Sequence, residues 1–286
     1  MKFLTALILL FYIPGFSQTP NHSINNTTLN KLTNGLSSSH NSFIKNIGQY
    51  GEPIAGYEKL GKIRYGFEGF GMPVLFTPKG LIHLHRKVEK ISKQEENKLE
   101  KKGIPEEEIE RKRKVTEGII TMEWIGANPQ PEIVAEDVTP DYHTYGLLKD
   151  KAKGYKKITY KELYPGIDII YHFTNSEKLG FEYSIIVRPG ADFSLVKMKY
   201  EGDVKKITVD KTGSLIIRSV INEINETLPV SFSNVTNELQ LIPNNGQLYA
   251  TQFRLENNIV SFYINNYDKT KTLIVDPFIS NTGTLN

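Results

Sequence analysis

Between Lys161 and Asp192 the chain reads KELYPGIDIIYHFTNSEKLGFEYSIIVRPGAD, two alternating runs closed at both ends by Pro-Gly pairs. Ile167, Ile169 and Tyr171 alternate with Asp168, Ile170 and His172, and after Asn175-Ser176-Glu177 the run Phe181 to Val187 alternates again. A period of two is the signature of a pleated strand, so the pair of runs predicts an antiparallel hairpin. Pro165-Gly166 and Pro189-Gly190 predict the turns that bound it, because proline presets φ for a turn and glycine accepts the positive φ that can follow.

The same vocabulary recurs along the chain. Ile63 to His85 reads as short strands punctuated by Gly66, Gly69, Gly71, Pro73 and the turn Thr77-Pro78-Lys79-Gly80. Further on, Ile207 to Val209 and Leu215 to Ile217 flank Asp210-Lys211-Thr212-Gly213, and Leu239 to Ile242 precede Asn244-Asn245-Gly246. Phe253-Arg254-Leu255 faces Val260 to Ile264 across Glu256-Asn257-Asn258. Short strands with such turns predict an all-β fold, an antiparallel β-sandwich built as one large unit or two subdomains. Strands do not alternate with long helices, as a parallel α/β fold requires. At 39% hydrophobic residues over 286 positions the chain can bury a core.

One segment breaks the pattern. From about residue 90 to 117 Glu, Lys and Arg dominate, and Gly103-Ile104-Pro105 divides the stretch in two. Pro105 suits a first helical turn, Glu106, Glu107 and Glu108 favour the positive end of the helix dipole, and Arg111 to Lys114 favour its negative end. The expectation is a solvated helical hairpin inserted between strands.

The termini read differently again. Residues 1–17 carry Lys2, an apolar run from Phe3 to Phe16 and small residues Gly15 and Ser17 before Gln18, the pattern of a secretory signal peptide. Residues 18–41, rich in Asn, Ser and Thr, are expected to be a flexible leader. The folded module is expected over 42–279 and a loose tail over 280–286. No segment reaches the roughly 20 apolar residues of a membrane span. These features predict a secreted or cell-surface protein. The chain has no cysteine, which excludes disulfides, thiolate metal sites and a cysteine nucleophile. A net charge of +3 from interleaved acids and bases gives no electrostatic stripe for nucleic acid.

Candidate chemistry is sparse. His83-x-His85-x-x-x-Glu89 could place two imidazoles and a carboxylate around a transition metal, since residues two apart on a strand share a face. The spacing resembles half of a cupin metal motif, but its glycines are misplaced and no second half follows; the alternative is that these are solvent-facing strand histidines. Gly56-x-x-x-x-Gly61-Lys62 mimics a phosphate loop, yet Ile63 stands where a magnesium-binding hydroxyl is needed and a strand follows in place of a helix. Glu136-Asp137 and Glu106 to Glu108 are adjacent in sequence, whereas glycosidase acids face each other across a cleft. Tyr142, Tyr145, Tyr155, Tyr160, Tyr164 and Tyr171 crowd one region, where they serve either core packing or an exposed ligand face.

Several short motifs occur together. FIKNIGQY carries Asn46, Gly48 and Gln49; MEWIGANPQPEI carries Gly126 and Asn128; YPGIDIIY carries Pro165, Gly166 and Asp168; VRPGAD carries Pro189, Gly190 and Asp192; and LIVDP carries Asp276 and Pro277. With Phe181-x-Tyr183, LPVSF at Leu228 to Phe232 and Tyr267-Asp268, their order resembles the domain of unknown function found N-terminal to β-propeller-type SBBP repeats in large secreted bacterial proteins of Bacteroidetes-like organisms. The charged segment departs from that pattern as an insertion, and the family continues into repeats where this sequence stops after Pro277. The chain is therefore expected to be either part of a longer protein or a variant using the module alone. The resemblance implies no activity and no cofactor. It implies a non-catalytic structural or adhesion module at the N-terminal side of an exported protein, with C-terminal repeats or surface partners. A carbohydrate-binding module with a glycan ligand is the alternative, and a metal-dependent enzyme using His83, His85 and Glu89 the third reading.

Overall fold

The structure, a computed structural model, describes residues 41–51, 53–70, 73–111, 113–146, 148–173, 179–233 and 247–281. The expected signal peptide and nearly all of the leader, the turn at Asn175 to Glu177 and the strand expected at Leu239 to Ile242 lie outside those residues. The described chain is all-β. In order, the strands are β1 Phe43–Lys45, β2 Tyr65–Phe67, β3 Val74–Thr77, β4 Gly80–Val88, β5 Val115–Trp124, β6 Glu132–His143, β7 Ala152–Tyr164, β8 Ile167–His172, β9 Phe181–Val187 and β10 Lys197–Gly202. They continue as β11 Lys206–Val209, β12 Leu215–Arg218, β13 Glu223–Glu226, β14 Val230–Ser233, β15 Leu248–Tyr249, β16 Thr251–Glu256, β17 Ile259–Ile264, β18 Leu273–Asp276 and β19 Phe278–Asn281.

All pairings are antiparallel and join these strands into one sheet. From β16 the ladder passes through β17, β10, β5, β4, β3, β2 and β1 to β7, with β6 on the other edge of β7. It continues through β8 and β9 to β18 and β19, where it divides toward β14–β15 and toward β13, β12 and β11. The two extremes, β11 and β16, come into contact without a ladder, so the sheet is nearly closed into a barrel. Twist of the usual hand, accumulated over this many strands, curls a sheet in this way.

The division has a local cause. Pro277 separates β18 from β19 and Pro229 precedes β14; neither can donate to a ladder. Thr227 N instead donates to Phe278 O, Phe278 N to Thr227 Oγ1 and Tyr183 N to Pro277 O, which carries the chain across the break. The expected tail from 280 therefore begins inside β19: Ile279 is buried, and Ser280 and Asn281 pair with Asn225 and Ile224.

The predicted β8–β9 hairpin forms with Ile167 opposite Val187 and His172 opposite Glu182. Its residues Ile167, Ile169, Tyr171, Phe181, Tyr183 and Ile185 enter the main core, while Ile170 and Ile186 join Phe232 and Ile274 in a small cluster on the other face. A third cluster places Tyr50, Leu60 and Ile63 over Leu75, Ile82, Leu84 and Ile119. Leu273-Ile274-Val275 is apolar at every position because both of its faces are covered.

The charged insertion is helical as expected, with α1 at Lys93–Glu100 and α2 at Glu106–Arg111. Ser92 caps α1 by accepting from Glu95 N, and α1 buries no residue, but Ile109 of α2 is buried. No helix among the described residues is long and apolar enough to cross a membrane.

Candidate functional site

The sequence motifs meet the fold first as backbone clasps. Asn46 Oδ1 accepts from Gly48 N at 2.9 Å while its Nδ2 donates to Ile63 O at 3.0 Å. Gln49 Oε1 accepts from Ile47 N at 2.7 Å and its Nε2 donates to Lys45 O at 2.8 Å, which ties the loop back onto β1. Gly48 supplies the φ of +116° that this turn requires. Beside it, Tyr50 and Tyr145 both donate to Glu68 Oε1 at 2.8 Å, and burial holds the Glu68 carboxyl above its ordinary range.

The two Pro-Gly turns are locked in the same way. Arg188 forks across Glu162 and Asp168, Asp168 Oδ1 accepts from Glu162 N at 2.7 Å, and Glu162 Oε2 accepts from Gly166 N at 2.9 Å. Asp192 accepts from the backbone and hydroxyl of Ser194, bonds that hold its carboxyl below the usual carboxylate range. Gly126 turns the chain after β5, and Asn128 Oδ1 accepts from Gln130 N at 3.0 Å. These polar side chains bind their own turns and do not converge on a common point in solvent.

The structure separates the metal triad that the sequence suggested. On β4, His83 and His85 share the face of Leu81 and point into the core, opposite Ile120 and Gly118 of β5. Each is only 2% exposed, so neither is a solvent-facing histidine. Their rings lie parallel with centroids 6.3 Å apart and do not converge on one point. Glu89 lies beyond the end of the strand, where its carboxylate accepts from exposed Lys114 at 3.1 Å. Desolvation pushes His83 down to about 3 and His85 to about 4, so both are neutral at physiological pH. No group of three His, Asp or Glu among the described residues is placed to hold a metal.

The remaining candidates are also structural. Gly56 and Gly61 flank the short 3₁₀ turn Glu58–Leu60. Glu136 pairs with Lys157 and accepts from Thr159, and Asp137 takes a positive φ within β6, just before the register shift between Val138 and Tyr142. Of the tyrosine group, Tyr160, Tyr164 and Tyr171 are buried, Tyr145 is engaged with Glu68, and exposed Tyr142 has the Lys151 ammonium 4.5 Å from its ring centre.

Two polar clusters had no sequence signature. Inside the sheet Glu226 accepts from Tyr183 at 2.7 Å and from Tyr200, and Trp124 Nε1 donates to Tyr171 at 3.1 Å nearby. Burial raises Glu226 to about 6 despite the two phenol donors. The placement follows from Ile224 and Glu226 sharing the inward face of β13, a polar residue at an apolar beat of the alternation. On the opposite face, His172, Ser184 and Asp276 meet across β8, β9 and β18. A groove of about 640 Å³ lies between the Asp210–Gly213 turn and the β14–β16 region, with Leu228, Val230 and Leu248 exposed along it. The acid at its rim, Asp210, is held by the Thr212 and Ser214 donors of its own turn.

Comparison with curated proteins and with solved structures found no match. A family model described as a domain of unknown function, DUF7948, matches residues 43–278, from the first residue of β1 to the first of β19. That span takes in every clasp described above and the inserted helical hairpin, and the chain accordingly belongs to the DUF7948 family.

Proposed function

We propose that this domain is an exported, non-catalytic structural or adhesion module, the N-terminal part of a secreted or cell-surface protein. The observation that carries the reading is the fate of the motif side chains. Asn46, Gln49, Asn128, Asp168, Arg188 and Asp192 hold turns and strand ends together, so the motifs encode a rigid frame. The signal-peptide pattern of residues 1–17 supports export, and the likeness to domains that precede SBBP repeats supports a role in carrying C-terminal repeats. In this reading the curled sheet works as two packed layers, a sandwich whose last strands, β18 and β19, deliver the chain in a defined direction to whatever follows. The glycan alternative has less support, because one face of the exposed rings of Tyr142 and Tyr263 is occupied by Lys151 and Arg254.

The test is export itself. Cells producing the full chain with a C-terminal epitope should release or display a protein whose N-terminus is Gln18, and the epitope should be digested by protease added to intact cells. Intact mass showing a retained Met1, with the epitope protected until lysis, overturns the proposal.

A further inference from the structure

The inserted hairpin is weakly anchored on its α1 side. α1 is 8 residues long and buries none of them. A helix shorter than about 12–15 residues is marginal in water on its own, so α1 is held chiefly by its backbone bonds and the Ser92 cap. The turn that follows continues the pattern. Lys102 N and Gly103 N donate to Leu99 O and Glu100 O, and Gly103 takes a φ of +70° with open space where a Cβ would stand. Lys93, Lys98, Lys101 and Lys102 are all exposed along this stretch, and the buried anchor comes only at Ile109 of α2.

An endoprotease reads its substrate as an extended segment, so a folded chain is cut where it can open locally. Opening α1 uncovers no apolar core and breaks no sheet ladder. Other exposed lysines stand in tighter places. Lys211 sits in a turn whose Asp210 accepts from Thr212 N and Ser214 N, between the paired strands β11 and β12. Lys269 O accepts from Gly190 N, while Asp268 accepts from Thr270 N and pairs with Lys271. Lys151 lies over the Tyr142 ring, in a loop that Tyr145 ties to Glu68.

The topology keeps both halves together after such a cut. Strands β1 to β4 all precede the hairpin, and strands that follow it close both edges of this slab: β7 pairs with β1, and β5 with β4. β4 and β5 stay in register from Gly80 opposite Glu123 to Val88 opposite Val115, and Glu89 N donates to Lys114 O at 2.8 Å at the base of the hairpin. Inside, Phe43 and Phe76 of the slab pack against Phe181 and Tyr171, and Tyr160 donates to Thr77 O at 3.0 Å. The hairpin is thus a covalent link between two halves already joined by ladder and core.

We propose that α1 and its turn are a processing site for a lysine-directed, trypsin-like endoprotease, and that cleavage there converts the chain into a two-chain module with the same fold. In the step, water adds across the peptide bond after one of the four lysines, leaving a carboxylate on the lysine and an amine on the next residue. The two halves then hold each other as separate partners, so the stability of the cut module depends on its concentration, which that of the intact chain does not.

Trypsin added sparingly to the full chain under native conditions tests this. Between residues 42 and 281, the first cut should fall within 93–103 and run about tenfold faster than any other, read by intact mass. The fragments should co-elute with the uncut chain on gel filtration and part only in denaturant. Dilution should lower the urea midpoint of the cut protein and leave that of the uncut chain in place. A variant carrying Lys93→Gln, Lys98→Gln, Lys101→Gln and Lys102→Gln should lose the first cut and keep the fold, since none of the four side chains is buried. A first cut elsewhere in that span, a variant cut as fast as the wild type, or fragments that separate without denaturant overturns the proposal.

Discussion

Acidification should destabilise this protein, and His83 gives a way to isolate one proton of that effect. His83 is 2% exposed, its Nδ1 has no hydrogen-bond partner, and burial, assisted by neighbouring His85, lowers it to about 3. In the unfolded chain the same imidazole titrates near 6.5. A group with a depressed folded pKa contributes stability that is present above its unfolded pKa and lost as pH falls, because the unfolded state takes up the proton first. Between pH 7.5 and pH 5 the unfolded chain gains about one and a half pH units of proton binding at this site while the folded ring stays neutral. At about 1.4 kcal/mol per unit, that is a loss of about 2 kcal/mol from His83 alone. His85 and His172, both lowered to about 4, push in the same direction, whereas Glu226, raised to about 6, and Asp276 oppose them. The variant His83→Leu removes one contribution and leaves the others in place. Leucine is close in volume and removes the unpartnered nitrogen, so the variant should match or exceed the wild type at pH 7.5. Urea titrations at pH 7.5 and 5 should show His83→Leu losing about 2 kcal/mol less than the wild type on acidification. Equal losses in the two proteins would mean that His83 finds a proton or a partner in the folded state, and the burial argument would fail.

Two further expectations concern the frame. Gly190 holds φ at +79° with open space where a Cβ would stand, so Gly190→Val should cost about 1–3 kcal/mol from backbone strain alone, read as a lowered Tm, whereas Gly190→Asn should be milder. Ending the chain after Phe278 removes Ile279, 1% exposed and paired with both Phe181 and Glu226, and should cost about 2–5 kcal/mol in urea unfolding; an unchanged midpoint would show that β19 is dispensable.

Local patterns in the sequence determined much of this architecture. The β8–β9 hairpin is legible because its alternation matches a pleat, the turn at Thr77 to Gly80 because glycine and proline punctuate it, and the helical insertion because proline and charge mark the ends of α2. Each of these depends on neighbours a few residues apart, where the energetics are local. What the alternation could not decide is which face of a strand meets the core. His83 and His85 had to share a face, but only the register of β4 against β5 turned that face inward and left Glu89 outside. Residues from 280 likewise read as a loose tail, yet the pairing of Ser280 and Asn281 with β13 keeps them in the sheet. The inward Glu226 and the meeting of His172, Ser184 and Asp276 join residues from strands far apart in sequence. Their proximity depends on how the whole sheet curls, and that is set by the sum of long-range pairings, which no single window of sequence contains.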